Sequence, residues 1–366
     1  MKPELMHYRT RDGSVRIGGS VFGVGAEVDD PDGWLTSLLG LLDGTASPAE
    51  VAAKVTARHP DVSEREVADA LSALCDAGYV DDAGAPVPAQ LSARDVERHS
   101  RGVSLLRWMD RTPRAGAWEV QARLHDASVL LVGVGGAGSF AAQALVASGV
   151  GRVHCIDPDV VELSNLNRQV LYQESDVGRP KAEAAVARLR GLNSDVRVTG
   201  ERRGIDGEDD LAALLGPDVD LLVLSADRPR ALWSWTNRAC LAAGTPWVTG
   251  SYHGPNVVAA MFAPGRGACW ECLRAYEEAD SDSRLPDGVS LDDVVPSPPL
   301  HAVNAVSAGM CGSFIAHAAV AALTGVPPLE PGVRFGLNLV VAGDPILGRA
   351  PRDPACPACG DGQSTR

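Results

Sequence analysis

Residues 129–140 read "VLLVGVGGAGSF". Four consecutive apolar residues (129–132) run straight into a glycine-rich turn, which is the pattern of a buried parallel strand opening into a helix. Gly133, Gly135, Gly136 and Gly138 would let the backbone turn tightly, approach a phosphate closely and present helix N-terminal amides to it. Asp157 follows at the end of the next apolar run, "RVHCID", placed to accept hydrogen bonds from a ribose. Up to this point a nicotinamide dehydrogenase fits equally well.

The residues that follow separate the two. "SNLNRQ" supplies Asn165 and Arg168, and "VGRPKAEAA" supplies Lys181. Two cations suit a triphosphate, with the guanidinium gripping oxygens bidentately and the ammonium acting as a point charge near a departing pyrophosphate. Asp227, in "LLVLSADRPR", ends a further strand, where a carboxylate can hold Mg²⁺. Apolar strands "SVLLVGVG", "RVHCID", "VRVTGE", "DLLVLSA" and "PWVTGSY" alternate with helical stretches, which gives an α/β fold: a doubly wound, mostly parallel, Rossmann-like sheet.

Upstream of this the chain changes character. Residues 7–18 alternate around Asp12-Gly13 and suggest a hairpin. Helical periodicity follows over 33–42, and capping boxes at Ser47–Glu50 and Ser63–Glu66 open two more helices, with a closing strand expected near 79–80. The result would be a small winged-helix domain over 1–88, with "DDAGAPVPAQ" (81–90) as a linker. It could serve peptide recognition or, as a generic winged helix, dimerisation or scaffolding.

Eight cysteines are present, four of them in the pairs Cys269/Cys272 and Cys356/Cys359. Four thiolates make a closed tetrahedral Zn²⁺ site with a structural role, the alternative being redox pairs. Cys311 sits in an apolar helical run and reads as core, and residues 273–304 contain no cysteine. A net charge of −14 argues against a nucleic-acid partner. No apolar run reaches the roughly 18 residues of a membrane span, and the polar first residues lack a secretory signal, so a cytoplasmic protein is expected.

"VGVGGAG", "IDPDVVELSNLNRQVLY", "DVGRPKAEAA", "SAD" and the two Cys-x-x-Cys pairs together resemble the ThiF/MoeB/ubiquitin-activating enzyme superfamily of adenylyltransferases over about 95–366. The resemblance implies ATP and Mg²⁺ as cofactors, with Asp157 on the ribose, Asn165, Arg168 and Lys181 on the phosphates and Asp227 on the magnesium. It also implies a homodimer, in which Arg101 of "RHSRG" reaches the partner's phosphates. The absence of a cysteine from 273–304 departs from relatives that form a thioester and puts that step in doubt. The N-terminal residues resemble PqqD-like elements, in which a leader peptide adds as a strand to a sheet edge. The expected function is activation of a carboxylate as acyl-AMP on a ribosomal peptide. The alternatives are the C-terminal glycine of a ubiquitin-like sulfur carrier as the site of activation, or a non-catalytic leader-binding protein.

Overall fold

The structure, a computed structural model, describes residues 1–281, 286, 288–289, 302–341 and 343–360. The residues between 281 and 302, which include most of the cysteine-free stretch read from the sequence, therefore lie largely outside the described residues. The chain divides into two compact units, Met1–Arg123 and Leu124–Arg366.

The first unit begins with strands β1 (His7–Arg9), β2 (Ser14–Ile17) and β3 (Ala26–Asp29), paired antiparallel in that order. The register pairs Tyr8 with Arg16 around the Asp12-Gly13 turn, as the alternation in the sequence requires. Helices α1 (Trp34–Leu41), α2 (Pro48–Arg58) and α3 (Glu64–Asp76) follow. Both expected capping boxes form, Ser47 with Glu50 and Ser63 with Glu66. The start of α1 is held differently, since the buried Asp30 carboxylate accepts from Leu35 N (3.0 Å) and Thr36 N (2.9 Å). Val15, Ile17, Leu38, Val55 and Val67 make the core of this unit.

Two features differ from the sequence reading. The strand expected near 79–80 does not form; β3, at 26–29, completes the sheet instead. Gly78 takes φ +71° and Tyr79 N closes on Leu74 O, so the chain leaves α3 through a left-handed cap rather than a strand. The linker at 81–90 is pinned at its first residue: Asp81 pairs with Arg107 at 2.9 Å, and Lys2, 1% exposed, donates to Asp110 O at 2.7 Å. Arg107 belongs to a long helix, α4 (Ala93–Met109), opened by a Ser92–Asp95 box. Helix α5 (Glu119–Asp126) contains the division between the units.

In the second unit β4 (Ser128–Val132), α6 (Gly136–Ala147), β5 (Arg152–Ile156), α7 (Lys181–Leu192), β6 (Arg197–Glu201), α8 (Glu208–Leu214), β7 (Leu221–Leu224), α9 (Leu232–Ala243) and β8 (Trp247–His253) alternate as expected. After them come β9 (Asn256–Phe262), α10 (Trp270–Ser281), α11 (Ala305–Thr324), β10 (Val333–Asn338) and β11 (Pro345–Arg349). The sheet order is β11-β10-β9-β8-β7-β4-β5-β6, parallel from β8 to β6 and antiparallel from β8 to β11. The chain leaves β4 toward β5 and returns to its other side as β7, so the topological switch point lies beside β4. That is where a doubly wound sheet opens a crevice.

Contrary to the sequence reading that no apolar run reaches a membrane span, helix α11 is long and apolar enough to cross a membrane by length and composition. It packs on α6 and the sheet instead: Gly312 lies against Ala137 and Phe140, and Ile315 against Gly250. Small residues at those points let the helix approach closely.

Candidate active site

Gly133 follows β4 with φ +92°, and a Cβ there would stand 2.7 Å from Ser225 O. A Cβ on Gly138 would overlap the Gly133 carbonyl, so the turn and the first coil of α6 touch backbone to backbone. On Gly136 it would crowd Ala308, Tyr252 and Arg168. Helix α6 has Gly135 as its N-cap and so no side-chain cap, leaving its first amides for another acceptor. The loop is pegged from below, since Tyr172 Oη donates to Val134 O at 2.8 Å.

Asp157, 4% exposed, sits at the end of β5 and binds this loop as well: Oδ2 accepts from Val134 N and Oδ1 from Asp159 N, both at 2.9 Å. Burial pushes its carboxyl up from the ordinary aspartate value, against the pull of Lys181. Lys181 lies buried at the first turn of α7, with Nζ 2.8 Å from Asp159 Oδ2. Arg168 donates to Ser164 O (3.0 Å) and Asn167 Oδ1 (2.9 Å), so its guanidinium is held in place.

These side chains line one cleft of about 510 Å³, together with Gly133, Gly135, Gly136 and Asp227. Two of the residues expected on it, Gly138 and Asn165, do not line it, and Arg101 was expected at the partner's site. Gly138 supports the turn from behind. Asn165 is buried, its Oδ1 accepting from Glu162 N (3.1 Å) to cap a short 3-10 turn that presents Arg168. Arg101 is exposed on α4 in the first unit. The cleft adds residues the sequence reading missed: Asp159, Gln169, Arg203 and Tyr252. Gln169 is 4% exposed and its Oε1 finds no hydrogen-bond partner among the described residues, an orphan that a ligand in the cleft can satisfy. It stood next to Arg168 in the quoted motif, and that adjacency was the available signal.

The four paired cysteines converge. Their sulfurs lie within 4.8 Å of one another, with Cys269–Cys272 at 3.8 Å, Cys269–Cys356 at 3.7 Å and Cys272–Cys359 at 3.4 Å. Zinc–thiolate bonds of about 2.3 Å place tetrahedral sulfurs about 3.8 Å apart, so the donor set fits a four-coordinate metal ion and leaves no open position. Cys311 is fully buried, and burial pushes its thiol up to about 12. It is a core residue.

A profile of the ThiF family matches residues 108–346. The chain belongs to the ThiF family. The sulfur carrier protein adenylyltransferase of Thermus thermophilus is 36% identical over 260 residues, which are 69% of this chain and 89% of that protein. The sulfur carrier protein ThiS adenylyltransferase of Escherichia coli is 35% identical over 184 residues, 50% of this chain and 69% of the relative. In fold the chain is similar to E. coli MccB, solved with AMPCPP and MccA: TM-score 0.73 at 23% identity, covering 98% of this chain and 99% of that one. As a ThiF-type adenylyltransferase the chain is an ATP-using enzyme, which removes the reading as a non-catalytic leader-binding protein.

Proposed function

We propose that the cleft binds ATP with magnesium and that the enzyme activates a carboxylate of a ribosomal peptide as its acyl-AMP. The supporting observation is the extent of the fold similarity. The likeness to MccB spans 98% of the chain, N-terminal unit included, whereas the Thermus alignment takes up 89% of the relative and leaves nearly a third of this chain unmatched. That remainder is room for a unit the sulfur-carrier enzyme does not need. The three-stranded sheet offers Glu27, Val28 and Asp29 on an exposed edge strand, where an extended peptide can pair.

In this reading Asp157 holds the ribose, Arg168 and Lys181 neutralise the phosphates, and Gln169 supplies a further polar contact. Asn165 acts through the turn that carries Arg168. Magnesium, when held by Asp227, supplies positive charge on the pyrophosphate. A carboxylate oxygen, already ionised near pH 7, attacks the α-phosphorus. The bond from that phosphorus to the bridging oxygen breaks, and pyrophosphate leaves with its electron pair, so no proton moves. Catalysis is positioning plus charge stabilisation. The four-cysteine site holds structural zinc, and the enzyme works as a homodimer in which Arg101 serves the other copy.

The higher identities favour a second reading, adenylation of a sulfur carrier's C-terminal glycine. ATP–pyrophosphate exchange by the full-length enzyme separates the two: a precursor peptide supports exchange and a ubiquitin-like carrier does not.

A further inference from the structure

A second cavity of about 320 Å³ adjoins the nucleotide cleft, sharing Asp227, Trp233, Gly250 and Ser251 with it as a common wall. Its floor is the sheet. The register sets Thr249 of β8 opposite Ala260 of β9, and Ala260 opposite Arg334 of β10, so the three form one cross-strand row. Continued the other way, the row passes through Leu224 and Val132 to Ile156, the residues that end β7, β4 and β5 just before Ser225, Gly133 and Asp157. Strands stand about 4.8 Å apart, which puts Thr249 roughly 10 Å from the cradle strand and Arg334 roughly 19 Å away. The small Ala260 leaves open the space between them. Gly250 and Phe335, the next residues along their strands, face α11 instead, so Thr249 and Arg334 look out on the opposite side of the sheet.

The lining has an apolar half and a polar half. Trp233 and Trp270, 5.9 Å apart, form the first with Phe262. The second holds two hydrogen-bond donors left without acceptors among the described residues. Thr249, 3% exposed, has a buried hydroxyl with no hydrogen-bond partner among the described residues. Arg334 pairs with Glu277 through Nη2 at 2.8 Å, yet its Nε is buried and finds no acceptor among the described residues. Leaving buried donors unmet costs stability unless a ligand meets them.

We propose that this cavity takes the side chain of the residue whose carboxylate is activated, and that it selects a side chain ending in an acceptor oxygen. The inference rests on the adenylation reading and narrows its substrate. Glycine would leave the cavity with nothing but water, on the order of ten molecules by volume. A side chain with an apolar stem and a carboxylate or carboxamide end fills the aromatic half and accepts from Thr249 and Arg334. The activated residue is therefore an acidic or amide residue, which separates this enzyme's substrate from the glycine tails of sulfur carriers.

The test is pyrophosphate exchange by the full-length enzyme with N-acetylated amino acids at tens of millimolar. Acetyl-glutamate, acetyl-glutamine, acetyl-aspartate or acetyl-asparagine should exceed acetylglycine and acetyl-norvaline by on the order of 10- to 100-fold, the factor that one or two unmet donors impose. Thr249→Val, which is isosteric and removes a hydroxyl that has no partner among the described residues, should reduce that ratio severalfold without lowering the melting temperature. Equal exchange with acetylglycine, or a ratio unchanged in Thr249→Val, overturns the assignment and leaves adenylation standing. Exchange with none of the set, by enzyme that binds ATP, overturns it as well. Failure to bind ATP would instead refute the underlying reading of the cleft.

Discussion

Replacing Gly138 by alanine tests the cradle where its geometry is tightest. The new methyl would stand 3.0 Å from the carbonyl carbon of Gly133, nearer still to its oxygen, and 3.2 Å from Ser225 Oγ. Two of these neighbours are backbone atoms and cannot swing aside. The turn must therefore move away from α6, at an overpacking cost of about 1–3 kcal/mol. Because the displaced carbonyl belongs to the phosphate-binding turn, much of that cost should appear in ATP binding, a loss of roughly 5- to 150-fold in affinity. Gly191, near the end of α7, is the control: outside its chain neighbours and its own helix backbone, no described atom lies within 4 Å of its would-be Cβ, and alanine there should leave ATP affinity unchanged while adding up to about 1 kcal/mol of helix stability. Calorimetric titration with ATP, alongside thermal melts, reads both. A folded Gly138→Ala enzyme that binds ATP as the unmodified enzyme does would refute the assignment of this turn.

Other outcomes follow from the same site. Arg168→Ala and Asp227→Ala should each lose on the order of 10²-fold or more in pyrophosphate exchange while melting normally, because each removes a charge contact to the departing group; near-normal exchange would contradict the roles given to them. Elemental analysis should find about one zinc per chain, and Cys356→Ser should lower the melting temperature, since a structural metal contributes folding free energy; no metal, with an unchanged melt in the variant, would refute the site. Cys311→Ala should keep exchange within about twofold and cost about 1 kcal/mol of stability, because that thiol is buried and protonated. A hydroxylamine-sensitive adduct lost in this variant would show instead that it carries the acyl group.

How much of this was legible in the sequence depends on how local the signal was. The capping boxes, the Asp12-Gly13 hairpin and the glycine turn involve neighbours a few residues apart, and each is present. The Cys-x-x-Cys pairs carry their own spacing, and their convergence needed only the fold to bring them together. The antiparallel strands β9 to β11 were missed; for β9, "NVVAAMF" is apolar from its second residue on, and without alternation or a glycine turn behind it such a run does not distinguish a strand from a buried helix. Helix α4 was missed because its box uses Asp95 where glutamate is the usual partner. The Lys181–Asp159 and Asp81–Arg107 pairs join residues 22 and 26 apart, and no pattern at that range announces which carboxylate a buried cation will find. The placement of Asn165 in a turn rather than on the cleft is of the same kind, since its neighbour Glu162 offers the amide it caps.

The central claim is that a substrate carboxylate attacks the α-phosphorus of ATP. Oxygen-18 placed in that carboxylate, with the full-length enzyme and a precursor peptide, tests it most directly. When the acyl-AMP is consumed by its next nucleophile, one labelled oxygen should remain on AMP, and the pyrophosphate should carry none. Label found in inorganic phosphate, or ATP cleaved to ADP, would place the attack at the γ-phosphorus and contradict the account.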